Sequence, residues 1–303
     1  MNRMTRRRPP AVLVLGAMAL GTLVELSAAP QTPSLDVILD RAAAYLDSYG
    51  HAVSGVVGEE HYLQEVVAAP QARLPGSSEV ERRLVSDVVF LADPREGWIE
   101  FRDVQTVNGR SVRQQQRVIE LLTEPHPNAV LQARRLVELG ARYNLNLPIG
   151  AIIDRTINLP MSALLFLKRA HQPRSAFTAG RTQRIDGVNT VVVQFEEHAT
   201  PRLIGSDTDR PATGQFWIEP ETGTVLQSEL KFSTGDRSNE TRATIRVRYA
   251  RNARLNLTLP SWMDEDYRTS DRGHTIALAC RATYTSYRRF GVAVDETFTE
   301  PET

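Results

Sequence analysis

The chain has 303 residues, 36 of them Lys or Arg and 36 Asp or Glu, so its formal charge is zero. That balance argues against nucleic acid as a partner, which calls for a clear basic excess. The single cysteine, Cys280, excludes an internal disulfide, so stability has to come from the core, for which the chain is long enough.

The first segment reads as an address. Arg3, Arg6, Arg7 and Arg8 form a cationic head, the apolar run Ala11 to Val24 follows, and small residues cluster at Ser27, Ala28 and Ala29. That order is a secretory signal peptide over 1–29, and about 14 apolar residues fall short of the ~20 that span a membrane. The expected protein is therefore periplasmic or extracellular, with no integral membrane segment after signal cleavage. No cysteine near the cleavage zone is available for a lipid, which excludes a lipoprotein. The Arg6-Arg7 pair leaves the twin-arginine route open beside the general one. Removing Arg3, Arg6, Arg7, Arg8 and Glu25 leaves 32 basic against 35 acidic residues, a charge near −3.

Ser34 is placed to cap a helix over 35–49, with Leu35, Ile38, Leu39, Ala42 and Leu46 at helical spacing and Gly50 as its stop. Residues 53–67 read as a long strand, 68–78 as a loop, and 83–91 as a second strand. Residues 98–104 alternate, and Asn108-Gly109 is a strong hairpin signal. The middle reads as a helical insert at about 113–170, with helices over 117–122, 128–143 and 160–170. The last of these is apolar nearly all round at Met161 to Leu167, as a segment buried on most sides is. Beyond it the pattern is β: hairpins at 175–197 and 215–232, then strands over 240–249 and 274–290. Cys280 sits in an apolar strand and reads as a buried small hydrophobe.

A strand of ten residues spans roughly 33 Å, and long antiparallel strands in a row curl through their twist. The expected fold class is α+β: a long curved antiparallel sheet, an open or half barrel, with an N-terminal helix and the central helical insert on its concave side. Residues 30–303 are expected to form a single domain.

The hairpin Phe216-Trp-Ile-Glu-Pro-Glu-Thr-Gly-Thr-Val-Leu226 and the proline-marked segment Leu255-Asn-Leu-Thr-Leu-Pro260 ahead of Trp262 to Tyr267 resemble a pattern in periplasmic half-barrel proteins of the lipoprotein-carrier type. That resemblance covers roughly residues 175–292. Most of the chain also looks like a family of uncharacterised secreted bacterial proteins. The carrier resemblance implies a half-barrel able to hold an acyl chain and carries over no catalytic residue.

The motifs that would name an enzyme are absent: no Gly-x-Ser-x-Gly, no phosphate loop, no Gly-x-Gly-x-x-Gly and no His-Glu-x-x-His. A non-enzymatic envelope protein without a cofactor is expected. Its partner would be a lipid or other apolar small molecule, lined by Leu164, Phe166, Leu167, Trp98, Trp217 and Tyr284, since pockets are mostly apolar with a few placed polar groups. A structural or partner-binding module with a filled sheet interior is the first alternative. The second is a metal-dependent hydrolase built on the repeated tripeptide Glu59-Glu60-His61 and Glu196-Glu197-His198. On a strand Glu59 shares a face with His61, and Glu196 with His198, so neighbouring strands would bring four ligands together.

Overall fold

A computed structural model of the chain describes residues 32–68, 80–93, 97–112, 129–145, 158–205, 209–235, 240–271 and 274–290. The expected signal peptide, most of the loop at 68–78 and the helix over 117–122 lie outside these residues. Eleven strands form one sheet: β1 (Val56–Ala68), β2 (Glu81–Asp93), β3 (Gly97–Val107), β4 (Arg110–Ser111), β5 (Ser175–Ile185), β6 (Val188–Glu197), β7 (Thr213–Ile218), β8 (Val225–Thr234), β9 (Thr241–Asn252), β10 (Leu257–Asp271) and β11 (His274–Arg289). Their spatial order is β4-β3-β2-β1-β11-β10-β9-β8-β7-β6-β5, every pairing is antiparallel, and the sheet is open and curved. All neighbours but one are sequence-adjacent hairpin or meander partners. The exception is β1 beside β11, which ties the first strand to the last.

The turns follow the sequence. Asn108 and Gly109 sit at φ 49° and 74°, and Asp186 and Gly187 at 46° and 85°, the two left-handed positions of a type I′ hairpin turn. Strand β10 departs from the reading: the proline-marked segment leads into, and from Leu257 belongs to, a 15-residue strand. Pro260 is tolerated because β10 pairs with β11 only from Trp262 onward, and a bulge separates Pro260 from Trp262 on the β9 side.

Helix α1 (Leu35–Val53) lies on one face of the sheet, here called inner, with Ile38, Leu39, Ala42, Leu46, Tyr49 and Val53 buried at the expected spacing. It runs past Gly50. That glycine turns toward β3, where an added Cβ would stand 2.7 Å from the Gly97 carbonyl oxygen, so it serves close packing rather than termination. Ser34 holds the N-cap position, and its carbonyl accepts the Ile38 N–H at 3.1 Å, but its side chain makes no capping bond.

The helical insert is divided between two places, which corrects the expectation of helices on the concave side alone. Helix α2 (Ala129–Ala141) runs along β3, with Leu136 and Val137 against Val57, Val89 and Phe101 on the outer face. It comes so close that a Cβ on Gly140 would sit 2.9 Å from the Arg102 carbonyl oxygen. Strand β4 pairs with β3 over two residues only, so α2 covers a sheet edge that would otherwise lie bare. The later part returns to the inner face as a six-residue 3-10 helix, Ser162–Leu167, followed by a shorter one, Gln172–Arg174. The expected helix over 160–170 is thus a 3-10 turn, the tighter form that short segments adopt.

Candidate functional site

The inner face carries the main core. Val193, Phe195, Phe216, Leu230 and Met263 from the strands meet α1 and the 3-10 segment. Phe166 stacks on Phe195 with ring centroids 4.5 Å apart, and Phe195 stacks on Phe216 at 5.1 Å, so the 3-10 segment Ser162–Leu167, here called the plug, ends in an aromatic pile. Leu164, Phe166 and Leu167 are 2%, 0% and 0% exposed. Trp98 and Tyr284 belong to the same buried cluster. Trp217 does not. It alternates with the inward Phe216 and Ile218 and packs with Ile185, Val192 and Leu226 on the outer face, its indole N–H donating to Gln183 at 3.0 Å. Five of the six residues expected to line a ligand site thus share a core, and the sixth is across the sheet.

The plug is held at its ends by polar groups rather than along its length. The Glu100 carboxylate accepts the Met161 N–H with both oxygens, at 3.0 and 3.1 Å. Gln172 donates to the Leu167 carbonyl at 2.8 Å and to the Leu39 carbonyl at 2.9 Å, joining the far end to α1. Tyr249 donates to the Pro160 carbonyl at 2.8 Å. Burial pushes the Glu100 carboxyl up to about 8 against the opposing pull of the Met161 N–H and Arg102.

Beside this anchor lies a buried polar chain. Arg102 donates to Glu60 through Nε at 2.5 Å and Nη2 at 2.9 Å, and to the Asn158 carbonyl at 2.7 Å. Burial works against its charge, but the adjoining Glu60 carboxylate outweighs that and holds the guanidinium protonated. Asn158 donates to the Tyr62 hydroxyl at 3.0 Å, which donates to Glu265 at 2.8 Å; Tyr267 donates to the other oxygen of Glu265. Asp264 and Asp266, on the opposite face of β10, pair with Arg246, Arg281 and Arg268 instead. The run Asp264-Glu265-Asp266 is therefore split by the pleat.

Immediately beyond the plug opens a cleft of about 710 Å³. Leu46, Asp47 and His51 of α1 face Ala92, Gly97 and Lys168 across it, with Arg169 at its rim. The Lys168 ammonium lies 5.7 Å from the Trp98 ring centroid. None of the charged lining was singled out by the sequence. It could have been found in Lys168-Arg169, one of the chain's two lysines directly following the apolar segment.

The metal reading requires neighbouring strands, and β1 and β6 are separated by β11, β10, β9, β8 and β7. Glu59 and His61 bond each other at 2.8 Å on an exposed surface. Glu196 and His198 are exposed far along the sheet. Among the described residues no group of three His, Cys, Asp or Glu side chains could hold a metal ion. Nor is any described helix long and apolar enough to cross a membrane.

No protein-family model and no curated protein matches the sequence. Among solved structures the chain is similar to a putative outer membrane lipoprotein-sorting protein domain from Vibrio parahaemolyticus, at 8% identity over 86% of this chain and 95% of that one, with a TM-score of 0.37. It is similar to a LolA superfamily protein from Nitrosomonas europaea, at 12% identity over 86% and 97%, with a TM-score of 0.30. A DUF1329 family protein from Desulfovibrio piger is 9% identical over 88% and 96%, with a TM-score of 0.34.

Proposed function

We propose that the protein is an exported carrier that binds an acyl chain or a similarly apolar ligand on the inner face of its sheet. The observation that carries this reading is the plug. A six-residue 3-10 segment without a polar side chain beyond Ser162 fills the trough, is fixed by hydrogen bonds at its two ends, and leads straight into an open cleft. Short 3-10 stretches have poorer hydrogen-bond geometry than α-helix. Leu164, Phe166 and Leu167 occupy the volume that a ligand chain would take, and Trp98 and Tyr284 line the same compartment. Export rests on the cationic, apolar and small-residue order of residues 1–29.

Saturable uptake of cis-parinaric acid by the purified protein tests this. One site per chain is expected, with tighter binding by Phe166→Ala, which vacates part of the trough. Absence of uptake by both forms overturns the reading.

The second reading, a partner-binding module with a self-filled interior, draws on the same burial, since Leu164, Phe166 and Leu167 are at most 2% exposed. Its outer face offers little support. The exposed large hydrophobics among the described residues are Val37, Val67, Val80 and Leu139, which are spread over four elements or their flanks rather than gathered in a patch.

A further inference from the structure

The cleft beyond the plug is part apolar, with a rim of both signs. Leu46, Ala92 and Ala170 are apolar side chains of its lining. Asp47 stands on one wall, on the exposed side of α1, and Lys168 on the other, with His51 one helical turn beyond Asp47. Two other charges of the cleft are matched: Arg169 pairs with Asp40 at 2.9 Å, and the buried Asp93 with Arg134 at 3.3 Å. Asp47 and Lys168 are different. Among the described residues neither makes an ion pair, with each other or with a third group. The ammonium is nonetheless positioned, over Trp98 and close enough to Gly97 that an added Cβ there would be 3.4 Å from Nζ. Two opposite charges that line one hollow without pairing match a ligand that brings one charge of each sign.

Resting on the carrier reading, we propose that this cleft is a head-group site for a zwitterionic amphiphile. The ligand's anionic group lies against Lys168, its ammonium against Asp47, and its chain enters the trough in place of residues 162–167. The chain position follows from connectivity, because Leu167 is the last residue of the plug and Lys168 the first of the rim. A cation held over an indole face is partly shielded from water, which raises its worth to an anion relative to an exposed lysine. The arrangement discriminates: an anionic head group finds Asp47 opposing it, and an uncharged one finds neither partner.

The test is titration of the full chain by tryptophan fluorescence and calorimetry with three single-chain lipids of equal length: lyso-phosphatidylethanolamine, lyso-phosphatidylglycerol and a monoacylglycerol. The zwitterionic lipid is expected to bind most tightly, by roughly tenfold over the uncharged one, at about threefold per matched charge. Lys168→Ala weakens both phospholipids and leaves the monoacylglycerol unchanged. Asp47→Ala weakens the zwitterionic lipid alone and strengthens the anionic one. Equal binding of all three, or the same affinities in both variants, overturns the head-group site while leaving the carrier reading intact. Failure of all three to bind overturns both. Neither side chain is part of the core, so both variants are expected to fold as the parent does, and circular dichroism checks this.

Discussion

Arg102 of β3 and Glu60 of β1 form a two-bond ion pair across the intervening strand, with their side chains 4% and 0% exposed. The same guanidinium stands 4.7 Å from the Tyr62 ring centroid and reaches Asn158, so one residue links β1, β3 and the segment leading into the plug. Arg102→Met leaves Glu60 in an apolar interior without its counter-charge and is expected to cost about 3–5 kcal/mol. Arg102→Met with Glu60→Gln is expected to cost less than Arg102→Met alone, because the stranded charge is gone. Urea denaturation of the three variants and the parent measures this. A loss below about 1 kcal/mol for Arg102→Met would refute the account of a desolvated pair.

Glu100 sets a pH dependence at the plug. Its carboxyl, ordinarily at 4.5, is pushed up to about 8, chiefly by burial. Between those values the folded chain keeps a proton that the unfolded chain has released. Its contribution to stability therefore falls as pH rises from about 4.5 to about 8 and levels off above. Above pH 8 the inner face carries an extra buried negative charge next to Glu60, which the Met161 N–H and Arg102 offset only in part. Glu100→Gln keeps an acceptor for Met161 and carries no charge. It is expected to match the parent in stability near pH 5 and to exceed it near pH 9. A parent whose stability is flat from pH 5 to 9 relative to Glu100→Gln would exclude this.

The division between what the residues announce and what they hide follows interaction range. Period-two runs and the Asn108-Gly109 and Asp186-Gly187 turns act over neighbours in sequence, so the hairpins could be read directly. The pairing of β1 with β11 joins residues more than 200 positions apart, and no local signal encodes it. Strand β10 was obscured because Pro260 is a breaker only where its N–H is needed, and that depends on which neighbour it lacks. In the site, the apolar run 161–167 was legible as a buried segment by composition alone. Glu100, Arg102 and Glu60 were not, since charged residues on strands are ordinarily solvated and nothing local marks the pleat that turns them inward. Trp217 was assigned to the wrong face for the same reason: alternation fixes which residues share a face, not which face is inside.

Gly50 supplies a substitution whose sign opposes helix propensity. In the interior of an exposed helix, Gly→Ala stabilises by about 1 kcal/mol. In α1 the new methyl would stand 2.7 Å from the Gly97 carbonyl oxygen and 3.1 Å from its carbon, contacts that backbone atoms cannot relieve without moving β3. Gly50→Ala is therefore expected to lower the melting temperature, while Ala44→Gly on the exposed side lowers it only by the ordinary propensity cost of about 1 kcal/mol. A stabilised Gly50→Ala would mean that α1 and β3 are less closely apposed than the structure has them.

Divalent metal is expected to leave the protein unaffected, and the reason is geometric. Neighbouring strands are about 4.8 Å apart, so the six spacings from β1 to β6 put roughly 29 Å of sheet between Glu59 with His61 and Glu196 with His198. Zinc ligands lie within about 2.0–2.2 Å of the ion, so all four would need to converge within a few ångströms. Both pairs are also exposed, at separate places on the sheet, rather than gathered in the buried core. Equimolar zinc should therefore leave the melting temperature of the parent, His61→Ala and His198→Ala unchanged. Recovery of one zinc per chain from the parent, lost in both variants, would show that these strands meet in a way the eleven-strand order does not allow.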